Sequence, residues 1–112
     1  GAVHITGEGY AKFNHLMKFS KRIGFEFSNF KPQTIFDLIQ QTAPEVKGVI
    51  TDEEMLRTFN MGWGFAIIVN ERDANAAIDG IEKTGIRAEQ IGTITDTGKN
   101  IAYYKNKKIL LQ

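Results

Sequence analysis

Apolar residues in this chain keep switching between two spacings, and each switch dictates a change of backbone geometry. Period two sends alternate side chains to opposite faces of a strand, whereas recurrence at three and four lines one face of a helix. Ala2-Val3-His4-Ile5-Thr6 has the first pattern, with Val3 and Ile5 on one side and His4 on the other, and Gly7-Glu8-Gly9 breaks it. From Tyr10 to about Phe19, the residues Phe13, Leu16 and Met17 recur at helical spacing. Ile23, Phe25 and Phe27 then alternate with Gly24, Glu26 and Ser28, which predicts a half-buried strand. Pro32 suits the first turn of a second helix, where its missing N–H goes unmissed. Ile35, Phe36, Leu38 and Ile39 form the stripe of that helix, Ala43-Pro44 ends it, and residues 45–50 read as loop.

Thr51-Asp52-Glu53-Glu54 has the spacing of a capping box, so a short helix carrying Met55 and Leu56 follows and gives way near Phe59. Residues 63–69 are the most apolar run and predict a strand buried on both faces. Asn70 caps a further helix, with Glu71 and Asp73 at its positive end and Ala74, Ala77, Ile78 and Ile81 facing inward. Gly85 is its left-handed terminator. From Arg87 the pattern returns to strand, with Ile91 and Ile94 as core positions. Residues 96–100 form a turn, residues 101–104 pair back as a hairpin, and Asn106-Lys107 turns again into Ile109-Leu110-Leu111. The order is β-α-β-α-α-β-α-β-β, with no internal repeat or linker. It predicts one α/β layered domain of α+β type, a mixed β-sheet packed with helices.

Composition narrows the functions available. A chain of 112 residues supports one domain with a real core, and 42% hydrophobic with 24% charged residues is ordinary for a globular protein. Fourteen Lys+Arg against 13 Asp+Glu leave a net charge of +1, which offers no footprint for duplex nucleic acid or an anionic membrane. Lys105-Asn106-Lys107-Lys108 reads as a solvated turn. With no cysteine, disulfides, thiolate catalysis and cysteine-ligated zinc are excluded, and a reducing compartment such as the cytoplasm is the default. No apolar run approaches the roughly 20 residues a membrane-spanning helix needs. The chain opens at Gly1 without an initiator Met and enters a strand at once, which reads as a cut in a longer protein.

Two segments carry candidate chemistry. His4-Ile5-Thr6-Gly7-Glu8-Gly9-Tyr10 runs from strand through Gly-x-Gly into helix. Glycine admits a ligand close to the backbone, and the unpaired N–H groups of a helix start favour a phosphate. A strand-to-helix turn also calls for glycine on geometry alone, and the residues by themselves leave both readings open. No Gly-Lys-Ser/Thr follows, so this is not a nucleotide-binding P-loop. The second segment, Glu54-Met55-Leu56-Arg57-Thr58-Phe59-Asn60-Met61-Gly62-Trp63-Gly64, places polar Arg57, Thr58 and Asn60 ahead of two alternating glycines. On a strand, Gly62 and Gly64 share a face stripped of side chains, against which a ligand or a packed helix fits equally well. Asp52-Glu53-Glu54 is better explained by helix capping than by Mg²⁺ binding. The two histidines, eleven residues apart, do not suggest a metal site.

Together the two segments resemble the signatures of the aminoimidazole ribonucleotide synthetase (phosphoribosylformylglycinamidine cyclo-ligase) family. His4-Ile5-Thr6-Gly7-x-Gly9 is similar to its His-Ile/Leu-Thr-Gly-Gly-Gly motif, and Glu54-Met55-x-Arg57-Thr58-Phe59-Asn60-x-Gly62-x-Gly64 to its second C-terminal motif. The likeness spans Ala2 to about Thr95. It implies the C-terminal substrate-binding domain of an ATP-dependent enzyme that closes the imidazole ring of formylglycinamidine ribonucleotide in purine biosynthesis. ATP and Mg²⁺ are then held mainly by an N-terminal domain outside this chain, the full-length protein is a homodimer, and this chain alone does not turn over. Carried over by position, Thr6, Gly7 and Gly9 lie where a phosphate sits, Arg57, Thr58 and Asn60 face the interdomain cleft, and His4 is the candidate for proton transfer. Two departures bear on this. Glu8 replaces the middle glycine, and Asn14 stands about one place from the family's Asn, without the Pro and Arg that usually follow it. A non-catalytic ligand-binding or interaction domain on the same scaffold is the alternative.

Overall fold

The computed structural model describes residues 1–29 and 31–112. Among the described residues, six strands form two sheets. Strand β1 (Ala2–His4) pairs antiparallel with β3 (Phe65–Ile67), placing His4 opposite Phe65. The larger sheet has the order β4-β2-β5-β6, built from Thr93–Thr95, Gly24–Phe27, Asn100–Tyr104 and Lys107–Leu110. Helices α1 (Thr34–Val46), α2 (Asp52–Thr58) and α3 (Ala74–Glu82) complete it, with a 3-10 helix at Gly9–Phe19. The mixed, helix-packed α+β architecture is the one the periodicities predict. Among the described residues no helix is long and apolar enough to cross a membrane.

The first helix is 3-10 rather than α, and its sequence supplies a reason. With three residues per turn, side chains three apart eclipse one another. Tyr10, Phe13 and Leu16 follow that spacing, and Tyr10 and Phe13 are fully buried. They meet β2 in an aromatic cluster: Tyr10 and Phe13 lie edge-on to Phe27 at 5.2 and 4.9 Å, and Phe13 edge-on to Phe25 at 5.2 Å. Edge-to-face geometry at these separations is the favoured one for aromatic rings. Met55, Leu56, Met61 and Leu111 close the core around them.

Several expectations are corrected. The hairpin expected across residues 96–100 is split: β2 lies between β4 and β5, antiparallel to one and parallel to the other. Gly24 permits this insertion, because a Cβ there would lie 2.5 Å from Thr95 Oγ1 and 2.7 Å from the Lys99 carbonyl oxygen. The true hairpin joins β5 to β6 through Lys105 and Asn106, both left-handed with φ of 51° and 62°. That is the two-residue turn whose twist matches paired strands. Helix α1 overruns Pro44 to Val46, its end closed by the Lys47 and Gly48 N–H groups donating to the Ala43 carbonyl at 2.8 and 2.9 Å, and Pro32 stands just ahead of it. Asn70 opens a 3-10 turn (Glu71–Asp73) without a side-chain cap. Ile94 is exposed, Ile91 only half-buried, and β4 starts at Thr93. Strand β3 packs on the core through one face only, and its inward Ala66 is partly buried.

Two local predictions hold in detail. The Thr51 hydroxyl accepts from the Glu54 N–H at 3.2 Å while the Glu54 carboxylate accepts from the Thr51 N–H at 3.2 Å, the reciprocal capping box. Gly85 is left-handed, with φ of 89°.

Candidate functional site

The two glycine-bearing segments, far apart in the chain, meet in space where Gly9 lies on Leu56. Gly9 has φ of +55°, and a Cβ there would stand 2.1 Å from the Leu56 carbonyl oxygen. Only glycine fits, so the 6–9 turn rests directly on the last turn of α2. Next to this seam the Tyr10 hydroxyl donates to the Asn60 carbonyl at 2.7 Å. Burial holds the Tyr10 phenol neutral well beyond the usual tyrosine range. Along the strands, the Ile5 N–H donates to the Gly64 carbonyl at 2.9 Å. The C-terminal end of β1 and the start of β3 therefore open onto the same side of the molecule.

The expected site residues divide by what they do there. Gly7 is exposed, with open space where a Cβ would stand, and Thr6 beside it is exposed too. Gly9 is buried and its N–H donates to the Thr6 carbonyl at 2.8 Å, so its glycine is needed for packing. Arg57 is half-buried and clamped, with Nε and Nη2 donating to Glu53 Oε1 at 3.2 and 3.1 Å and Nη2 to the Gln112 carbonyl at 3.2 Å. Thr58 is exposed. Asn60 shapes its own turn, its Oδ1 accepting from the Gly62 N–H at 2.9 Å. The adjacent Met61 and Gly62 are left-handed, which places Gly62 in a turn rather than on a strand with Gly64. His4 is exposed, its ring 6.3 Å from that of Phe65.

Lys12 was not among the residues picked out by motif. Its ammonium donates to Thr6 Oγ1 at 3.1 Å, setting a cation beside the open Gly7. The signal lies in the period of three, because Lys12, His15 and Lys18 form one row on a 3-10 helix. Glu8, the departure from the glycine motif, lies against the same row, with Oε2 2.9 Å from His15 Nε2. The hydrogen bond with His15, aided by the charges of His15, Lys12 and Lys18, holds the Glu8 carboxyl below the usual carboxylate range. Asn14 serves the scaffold: it donates to the Leu111 carbonyl at 2.7 Å and accepts from buried Asn100 at 2.9 Å. Among the described residues, no three His, Cys, Asp or Glu side chains gather as a cation would require.

The sequence model of the family described as AIR synthase related protein, C-terminal domain, matches residues 1–105. Among curated proteins, the chain is 37% identical to the phosphoribosylformylglycinamidine cyclo-ligase of Methanocaldococcus jannaschii, over all of this chain and 33% of that protein. It is 41% identical to the protein of that name from Methanosarcina acetivorans, over 88% of this chain and 26% of the relative. The corresponding figures for Methanothermobacter thermautotrophicus are 34%, 90% and 27%. The chain therefore spans about a quarter to a third of the length of these relatives. A match over nearly the whole chain, on a fold that joins the two glycine-bearing segments at one seam, shows that the chain belongs to the family of AIR synthase related proteins, as their C-terminal domain.

Proposed function

We propose that this domain holds the ribonucleotide of an ATP-dependent cyclo-ligase that closes the imidazole ring of formylglycinamidine ribonucleotide. The observation that carries the reading is the seam between Gly9 and Leu56, which turns two separate motifs into one polar surface. On that surface Thr6, the Gly7 backbone and Lys12 form a cradle for the substrate phosphate, with a hydroxyl, open main chain and a cation in reach of one another. Arg57, held by Glu53, and the exposed Thr58 present donors to the rest of the ribonucleotide. His4, solvent-exposed at the end of β1, is the group for moving a proton. ATP and Mg²⁺ belong to the preceding domain of a longer, cytoplasmic, homodimeric protein, where ATP supplies the phosphoryl group that activates the formyl oxygen.

The test uses the longer polypeptide. Lys12→Ala removes a charge-assisted contact, which is worth about 1.5 kcal/mol or more, so KM for the ribonucleotide rises roughly tenfold or more while KM for ATP stays put. Unchanged KM for both sinks the cradle. His4→Gln removes one limb of the pH–rate profile if the imidazole carries the proton, and leaves its shape alone if it only orders the turn. Turnover by the 112-residue chain alone with ATP and ribonucleotide refutes the division of labour.

Glu8 favours a second reading, a binding domain without catalysis, because a carboxylate repels phosphate. That repulsion is blunted here by His15, Lys12 and Lys18. Titration of Trp63 fluorescence with ribonucleotide and with inorganic phosphate separates the readings, since silence toward both favours an interaction role.

A further inference from the structure

Strand β3 carries an unbroken apolar run, Phe65-Ala66-Ile67-Ile68-Val69, of the kind found where both faces of a strand are covered. In this chain one face is covered. Val3, facing Ala66, is buried and packs into the core with Ala66 and Ile68. On the opposite face Phe65 is 63%, Ile67 45% and Val69 43% exposed, beside Ala2 and His4 of β1. Two strands with one apolar face open to water fall short of a self-sufficient sheet. A contiguous apolar patch of this kind marks a contact surface.

We propose that the outer face of the β1–β3 sheet is the docking surface for the polypeptide that precedes this domain in the longer protein. Three observations select that occupant. The relatives are three to four times the length of the matched stretch, and the family is a C-terminal one, so the missing mass lies ahead of β1. Pairing extends to Gly1, just ahead of β1, whose carbonyl accepts from the Ile68 N–H at 2.8 Å, so a preceding segment enters the domain at this very sheet. The face is also small. A few side chains fall well short of the roughly 800 Å² per partner that a stable interface between separate molecules buries. A tethered neighbour avoids most of the entropic cost of association and can use such a patch. The inference rests on the proposed N-terminal partner domain and adds to it a location. Docking there covers His4 from outside and sets the partner's surface beside the Thr6–Gly7 turn.

Hydroxyl-radical footprinting of the longer polypeptide, read residue by residue, tests this. Phe19 is 83% exposed and serves as the internal standard for Phe65. Docking predicts that Phe65 loses labelling while Phe19 keeps it, and that Phe65→Lys with Ile67→Lys makes the segment before Gly1 newly cleavable by protease. Val46→Lys, at another exposed apolar position, leaves that segment resistant. Equal labelling of Phe65 and Phe19 overturns the proposal. So does Phe65 protection that vanishes on dilution to the monomer, because the cover is then a second copy. None of these readouts needs turnover or nucleotide, so they stand or fall apart from the cyclo-ligase assignment.

Discussion

Glycine at positions 7 and 9 serves two unrelated purposes, and substitution separates them. Gly9→Ala forces a Cβ against the Leu56 carbonyl in a left-handed backbone, so it should destabilise the domain by about 3 kcal/mol, read from urea unfolding. Gly7→Ala meets nothing and should shift stability by no more than about 0.5 kcal/mol while weakening ribonucleotide binding in the longer protein. Comparable destabilisation by both contradicts this division. Both glycines stood out in the sequence, yet nothing there told packing from access, because the difference lies in which atoms of α2 come near. Lys12 was missed for a related reason: its neighbour Thr6 stands on the far side of the Gly7-Glu8-Gly9 turn, and no local pattern brings the two together. Thr51 and Glu54 were legible in full, since a capping box is written in local sequence alone.

Elements show where local pattern stops being informative. Helix α2 begins where its sequence says, and Thr51→Ala should cost about 1 kcal/mol in thermal or urea unfolding. Its first residue, Asp52, also ties the β5–β6 hairpin to α1 and α2. Asp52 Oδ2 accepts from Lys107 at 3.0 Å, Oδ1 accepts from Gln40 at 2.8 Å, and Lys105 stands 3.5 Å away. Partial burial pushes the Asp52 carboxyl up, but the hydrogen bonds from Gln40 and Lys107 and the charges of Lys105 and Lys107 outweigh it, and the net shift is downward. A lowered folded pKa means that the contribution is complete above the unfolded value near pH 4 and is lost as pH falls through the folded one. Asp52→Asn should therefore lower the urea midpoint at neutral pH and flatten its decline in acid. Strand β3 was readable as a strand but not as half-covered, because an apolar run does not tell which of its faces the rest of the chain covers. The 3-10 helix was readable as helical, and its tighter winding shows only once Tyr10 and Phe13 are seen edge-on against β2.

At the scale of the whole molecule, the split hairpin was the least legible feature. A five-residue turn between two strands ordinarily joins neighbours, and nothing local to residues 96–100 announces that β2 has been inserted between them. The chain's last residues complete the assembly: buried Leu111 donates its N–H to the Asn100 carbonyl at 2.8 Å, and its carbonyl accepts from Asn14. Leu111→Ala should cost about 3 kcal/mol by calorimetry or urea unfolding, far more than an end position would suggest. Alkali should loosen the fold as well. Burial, then the nearby Asp37 and Asp52 charges, push the Tyr104 phenol up to about 12. A raised folded value gives stability that is whole below pH 10 or so and fades as pH climbs toward that figure, which ultraviolet phenolate titration alongside circular dichroism can follow. The contact between Gly9 and the Leu56 carbonyl has a mechanical corollary. With main chain lying on main chain there, the 6–9 turn and the last turn of α2 travel as a single rigid plate. On the proposed reading, the motion that admits and releases a ribonucleotide then falls to whatever faces that plate.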